Sequence, residues 1–429
     1  MAASRSPYTV LTVSALIAGA STVESAAQIS PDSDVSPNTS VSQRFFARRD
    51  LGDELRLGSF AILPTAKVDT TYVDNVFVDE TEKRVDDLIL ETGGETEVLS
   101  QWSRHGLAIF GSYKRNKYTD NDSESFNDRG FGGRAWLDMG RASRLTVDGS
   151  FRKSVETRQT LQTADGAIAP VEFSESYVGA TLDIVHTRFR EEIGVRFEKS
   201  NFFDAVSAFD GSTIDQDFRD EKFASVYARQ YVRVRPTIEM FVEARGWNRR
   251  FEEVTGQPFP SQDSRAYALS SGVAFDINKV ARGEVLAGYQ KEDFENDDFV
   301  DLSGFFLEAE MNMFVSDLTT VNVNAARAIN PSGILGIGGF VQSTASVGVD
   351  HELTRKILLS GEIGYRLDEL GDIDREDHVF TAGVEASYLI GKRIALKAGY
   401  GFTDVRSTGS AARSDFDQSA FRIGIELRR

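Results

Sequence analysis

The chain has 429 residues, 41% hydrophobic and 27% charged, and its 48 basic against 66 acidic residues leave a net charge of −18. That acidity excludes a nucleic-acid partner, and the absence of cysteine excludes disulfides, thiolate metal sites and a lipid anchor on an N-terminal cysteine. Beyond the N-terminus no run of about 18 apolar residues occurs, which excludes membrane-spanning helices. A membrane barrel stays open, because its alternating strands hardly raise mean hydropathy.

Residues 1–27 read as a secretory signal peptide: Arg5 in a short basic region, an apolar stretch from Tyr8 to about Ala20, then Ser25 and Ala27 before a cut. Residues 28–57, opening on the polar SPDSDVSPNTS tract, read as a flexible periplasmic lead-in. From residue 58 to 429 one unit recurs without domain breaks. Short basic or polar knots precede apolar strand starts at Trp102, Met139, Val185, Val232, Asn278, Val315, His351 and Leu389, a spacing of roughly 40 residues. Between them lie longer polar tracts, such as TDNDSESFND from Thr119, FDGSTIDQDFRDE from Phe209, EDFENDDFVD from Glu292 and DELGDIDRED from Asp368. Short turns alternating with long loops predict an all-β transmembrane antiparallel barrel of about 16–18 strands, turns in the periplasm and loops outside.

Within the strands the period is two. Leu107, Ile109, Gly111 and Tyr113, or Phe421, Ile423, Ile425 and Leu427, form uncharged rows that predict a lipid face. The alternate rows carry Arg152, Arg190, Glu192, Arg196, Glu239, Glu243, Arg245, Glu308, Glu310, Glu362, Arg366, Glu385, Lys397, Arg422 and Glu426. A charge on the lipid face at mid-depth costs about 2–4 kcal/mol. Segregation this complete therefore assigns the charged rows to a water-facing lumen.

RLGSFAILP from Arg56 and TYVDNVFVD from Thr71 resemble the entry signature of a proteobacterial family of outer-membrane β-barrel porins, several of which belong to exopolysaccharide or capsule export systems. The matching positions are Gly58, Phe60, Pro64, Tyr72, Asp74, Asn75 and Phe77, and SRHGLAIFGSYKRNKY is similar too. The resemblance covers nearly the whole chain. The C-terminal strand departs from it, ending on Arg428 and Arg429 rather than on the aromatic common in outer-membrane proteins. Pro64 and Asn75 also have a plain reading in strand-start and turn chemistry.

Other chemistry is sparse. The four histidines are scattered, with His105, His186 and His351 at predicted short turns and His378 opening a strand on the other side. That distribution argues against an enzyme. Asp120, Asp122, Glu124 and Asp128 could gather a divalent cation and so bridge to lipopolysaccharide phosphates, but a solvated loop explains them as well. Inward aromatics such as Phe110, Trp136, Tyr227 and Phe241 could stack on sugar rings or simply fill space. The expectation is an outer-membrane channel with no cofactor or metal, a conduit or partner for exopolysaccharide export in contact with outer-membrane lipid, lipopolysaccharide and periplasmic export proteins. The alternatives are a general diffusion porin for small solutes and a plugged structural or surface-interaction barrel.

Overall fold

The computed structural model describes residues 40–50, 55–79, 83–140, 142–158, 166–252, 261–278, 280–334 and 336–428. Among them the alternating segments form eighteen long antiparallel strands. They are β1 (Phe60–Val73), β2 (Asp87–Ser100), β3 (Gly106–Tyr118), β4 (Phe126–Met139), β5 (Ser143–Val155), β6 (Glu172–Val185), β7 (Phe189–Phe202), β8 (Glu221–Arg235) and β9 (Ile238–Phe251). The second half comprises β10 (Ser264–Ile277), β11 (Ala281–Phe294), β12 (Leu302–Ser316), β13 (Thr319–Pro331), β14 (Gly339–Thr354), β15 (Ile357–Leu370), β16 (Glu376–Ile390), β17 (Ile394–Thr408) and β18 (Phe416–Arg428). Each strand pairs with the next, and β18 returns to β1 with Arg428 opposite Thr65 and Ala420 opposite Val73. Closure leaves no strand edge to lipid, which backbone polar groups in a bilayer require.

Every predicted knot falls at a short connection: 101–105, 140–142, 186–188, 236–237, 278–280, 317–318, 355–356 and 391–393. The long connections, 74–86, 119–125, 156–171, 203–220, 252–263, 295–301, 332–338, 371–375 and 409–415, gather at the other end. Gly140 and Gly391 turn two short connections with φ of 67° and 75°, a conformation open to glycine at little cost. Extra residues in β8, β12 and β14, between Arg233 and Arg235, Phe314 and Ser316, and Glu352 and Thr354, all sit near the short-turn rim, where bulges commonly end pairing.

The outer face carries the uncharged rows, with Ile109, Val178, Val242, Leu269, Val384 and Ile423 all exposed. Toward the long-loop end, aromatic residues on this face stand directly opposite one another: Tyr72 and Tyr400 each face Phe421, Tyr365 faces Phe380, Tyr289 faces Phe305, and Phe131 faces Phe151. Such a girdle marks a membrane–water boundary.

The lead-in is more structured than expected. The predicted signal peptide and the opening of the lead-in, residues 1–39, lie outside the described residues, as do 51–54. Val41–Asp50, however, forms a helix, α1. Ser40 and Gln43 cap it reciprocally, the Gln43 N–H donating to Ser40 Oγ at 3.3 Å and the Ser40 N–H to Gln43 Oε1 at 3.1 Å. Val41 and Phe45 are fully buried against Leu358, Leu389 and Ala395. Those three alternate with exposed Leu359, Tyr388 and Ile390, so they point inward and the helix lies inside the short-turn mouth. Leu55–Leu57 then pairs with Phe60–Ile62 of β1.

Candidate functional site

The enclosed surface is built by alternation: where one residue meets lipid, its neighbours along the strand face in. Arg152, Arg190, Glu192, Arg196, Glu239, Glu243, Arg245, Glu308, Glu310, Glu362, Arg366, Glu385, Lys397, Arg422 and Glu426 all fall on the inward rows. On the wall from β7 to β12 many of them lock together. Arg229, on the same row but not singled out by sequence, reaches Glu243 at 2.6 Å and Glu284 at 2.7 Å. Arg245 reaches Glu243 at 2.8 Å and Glu308 at 3.5 Å. Arg190 lies within 3.6 Å of Asp183, Glu192 and Glu239. Two guanidiniums also cover rings, Arg190 at 3.6 Å from the Tyr231 centroid and Arg229 at 4.3 Å from that of Phe241, a favourable placement for a cation.

Elsewhere the pairs are more local. Arg196 joins Glu198 and lies over Tyr177, Arg152 lies over Phe173, and Arg366 meets Asp368 at 3.1 Å. Arg422 meets Glu385 at 2.9 Å and Lys397 meets Glu426 at 3.2 Å.

The wall from β12 to β15 is different in kind. Its inward charges are Glu308, Glu310, Asp350, Glu352, Glu362 and Asp368, against the single cation Arg366. Between them stand Asn322, Asn324, Thr344, Ser346 and Ser360. Asp350 accepts from Ser360 Oγ at 2.6 Å and Asn322 Nδ2 at 3.5 Å. Small neutral donors hold Asp350 in place without cancelling its charge, whereas Glu308 shares Arg245 and Asp368 shares Arg366. Helix α1 stands at the short-turn foot of this wall, its Val41 N–H donating to Thr320 Oγ1 at 3.0 Å.

The inward aromatics do not project into the enclosed space. Phe110 is directly opposite Gly132, Trp136 opposite Gly106, Tyr227 opposite Gly194, Phe241 opposite Gly272 and Phe306 opposite Gly288. A Cβ at any of these glycines would fall within 2.7 Å of the ring carbons. Each ring therefore folds flat over its glycine. Trp136, Tyr227, Phe241 and Phe306 are buried, and Tyr227 donates to Glu192 at 2.8 Å. Filling space is the role the geometry gives them.

The signature residues gather at β1 and the connection that follows it. Gly58 turns into the strand with φ of 60°, Phe60 packs edge-on against Trp102, Pro64 sits opposite Thr96, and Tyr72 is exposed in the girdle. Asp74 and Asn75 tie the barrel seam. Asn75, fully buried, donates through Nδ2 to the carbonyls of Asp79 at 2.8 Å and Asp417 at 3.0 Å, and its own carbonyl accepts from Gln418. Asp74 Oδ1 accepts the Ser419 N–H at 2.7 Å. Phe77 packs beside Val73, Val76, Ile89 and Ala420. Val78, at φ of 54°, turns its side chain in against Val379, Val405 and Phe416. A β-branched residue is strained there, so the connection is held folded into the long-loop mouth.

The histidines remain apart. His105 accepts from the Asp138 N–H, His186 faces Glu191, His351 meets Thr319 and His378 meets Tyr365. His351 lies within β14 rather than in the turn beyond it. Three of the four acidic candidates after Thr119 are paired: Asp122 with Lys117, Glu124 with Arg158, and Asp128 with Lys114. Among the described residues, carboxylates come together in a group of three at Asp204, Asp215 and Asp217 instead.

Residues 53–429 match the model of a protein family described as Putative beta-barrel porin 2. No curated protein resembles the chain in sequence. Among solved structures, the chain is similar to OccK2 (OpdF) of Pseudomonas aeruginosa in complex with glucuronate, at 12% identity and TM-score 0.46, over 87% of this chain and 99% of that one. It is similar also to the outer membrane protein OpdK of the same organism, at 12% identity and TM-score 0.44, over 86% and 99%. The siderophore receptor PirA, again from Pseudomonas aeruginosa, matches at 8% identity and TM-score 0.43, over 86% and 80%.

Proposed function

The chain belongs to the Putative beta-barrel porin 2 family and forms a barrel of the bacterial outer membrane, and from that premise we propose that it is a passive channel for small hydrophilic solutes with a preference for cations. The observation that carries this reading is the inner surface itself. Its charged rows face the enclosed space, and the wall from β12 to β15 presents six carboxylates to one guanidinium. Even with Glu308 sharing Arg245 and Asp368 sharing Arg366, acids outnumber cations on this wall, and a carboxylate held by neutral donors, as Asp350 is, keeps a negative potential that draws cations in and turns anions back. No bond chemistry is needed, because the work is selection by size and field.

A polysaccharide conduit would draw on exposed ring faces for stacking, whereas here the rings lie flat on glycines and most are covered. That favours the diffusion channel over the export reading. The test is planar-bilayer recording of the purified protein across a salt gradient. Stepwise conductance with a cation-selective reversal potential is expected. Folded protein that never conducts would defeat the channel reading, and an anion-selective potential would defeat the preference.

A further inference from the structure

The outer face holds a feature that conduction does not use. Toward the long-loop end of β3 to β9, seven outward positions carry cations: Arg115, Lys117, Arg129, Lys153, Lys199, Lys222 and Arg250, of which Lys117 pairs with Asp122. Arg115, Arg129, Lys153 and Lys199 each lie two residues farther toward the loops than an outward aromatic, respectively Tyr113, Phe131, Phe151 and Phe197. They stand one pleat above the girdle, at the level of lipid headgroups rather than of acyl chains. In a chain of net charge −18, such an accumulation is not compositional.

The register sharpens the point. Lys199 is directly opposite Lys222, Lys222 is directly opposite Arg250, and Arg129 is directly opposite Lys153. Like charges in directly opposed positions destabilise a sheet, so strand pairing does not account for this row. Lys153 has Glu172 at 2.6 Å, and Arg250 is held between Glu295 at 2.5 Å and Asp263 at 2.8 Å. Arg129, Lys199 and Lys222 are exposed and make no ion pair among the described residues. The other side of the barrel shows the contrast: at the same height Arg327 pairs with Glu369, His378 with Glu376, and Arg406 with Asp404.

We propose that this arc of the outer surface binds the phosphate groups of outer-leaflet glycolipid. An anionic headgroup lying across β7 and β8 would face Lys199 and Lys222 together, and its acyl chains would continue down the apolar rows beneath. The acidic loops, from which bridging through divalent cations was expected, are not needed for the contact. Phosphate reaches the barrel wall directly.

The test uses full-length protein folded in detergent and titrated with diphosphorylated lipid A, bound lipid being read by native mass spectrometry. Lys199→Gln with Lys222→Gln should weaken binding about fivefold per lysine, ~30-fold together. Wild-type binding should fall with added salt, lipid A stripped of phosphate should bind wild type as poorly as intact lipid A binds the variant, and inorganic phosphate at equal concentration should not compete. Arg406→Gln, on the other side, should bind as wild type does. Folding of each variant is read from its heat-dependent gel mobility. Arg115→Gln with Arg129→Gln provides a second, independent pair should the first fail to assemble. Equal binding by wild type and a folded double variant, undiminished binding of the phosphate-free lipid, or full competition by inorganic phosphate would each overturn the proposal.

Discussion

Phe45→Ala isolates what α1 does. The side chain is wholly buried against Leu358, Leu389 and Ala395, and truncating a buried phenylalanine costs about 3–5 kcal/mol. Of the remaining apolar anchors, Val41 supplies about 1.5–3 kcal/mol and Phe46 is only partly buried. A loss of even 3 kcal/mol shifts the docked–undocked balance by a factor of about 150. The ladder of β-strands does not include the helix, so the barrel should keep its heat-dependent gel mobility. Arg44, whose guanidinium donates to the Asp317 carbonyl at 2.7 Å, should become a fast trypsin site. In planar bilayers the undocked variant should pass a larger current than wild type, because the helix stands at the foot of the acidic wall. If trypsin cuts the variant no faster than wild type, the docking argument is wrong. If cutting accelerates and the current does not change, the helix lies clear of the ion path.

Neighbouring residues of β15 should respond in opposite senses. Leu359→Arg puts a charge among acyl chains at a cost of about 2–4 kcal/mol near mid-depth and should lower the yield of folded barrel, whereas Ser360→Arg should assemble and reduce cation selectivity; equal yields would refute the assigned faces. Glu362→Gln combined with Asp350→Asn should move the reversal potential toward zero without loss of folded protein, and an unmoved potential would remove the acidic wall from selectivity. Asn75→Ala strands buried partners on both sides of the seam, at about 1–3 kcal/mol for each group left unsatisfied, and should lower the melting temperature while leaving conductance steps intact. Asp374, in the connection 371–375, is held below the usual carboxylate range first by the Ser410 backbone N–H at 2.8 Å and then by its hydroxyl. A depressed value means the tie is present at neutral pH and lost as pH falls through it, so protease sensitivity of 371–375 should rise on acidification, and Asp374→Ala should show the raised sensitivity at neutral pH.

Most of the architecture was legible because a barrel is a local code. Period two assigns each residue to a face, and a basic or polar knot marks each short turn, so the strand number to within two and the inward position of Arg190 or Glu243 follow from the chain alone. The partners do not. Arg229 finds Glu284 only through the register of intervening strands, and Phe241 lies flat only because β10 places Gly272 opposite it. Asn75 showed its turn chemistry, yet its contacts at Asp417 and Gln418 come from the far end of the chain. Helix α1 was missed for a different reason. Its signals were present, Ser40 and Gln43 at capping spacing and Val41 and Phe45 one turn apart, but the polar tract before it disguised a docking element as a tether.

The rings lying on glycines bear on the shape of the bore. A side chain that stands off the wall takes up width, whereas one laid flat takes up little more than its own thickness. The flattened rings are confined to β3 through β12, and the lattice of guanidiniums thickens part of that same arc from within. The opposite arc sets asparagine, serine and threonine among the inward charges Glu362, Glu385, Lys397 and Arg422, and helix α1 fills its short-turn mouth. The lining is therefore lopsided, with rings laid on glycine along one half of the barrel and a docked helix at the mouth of the other, and the enclosed space is not that of a symmetrical tube.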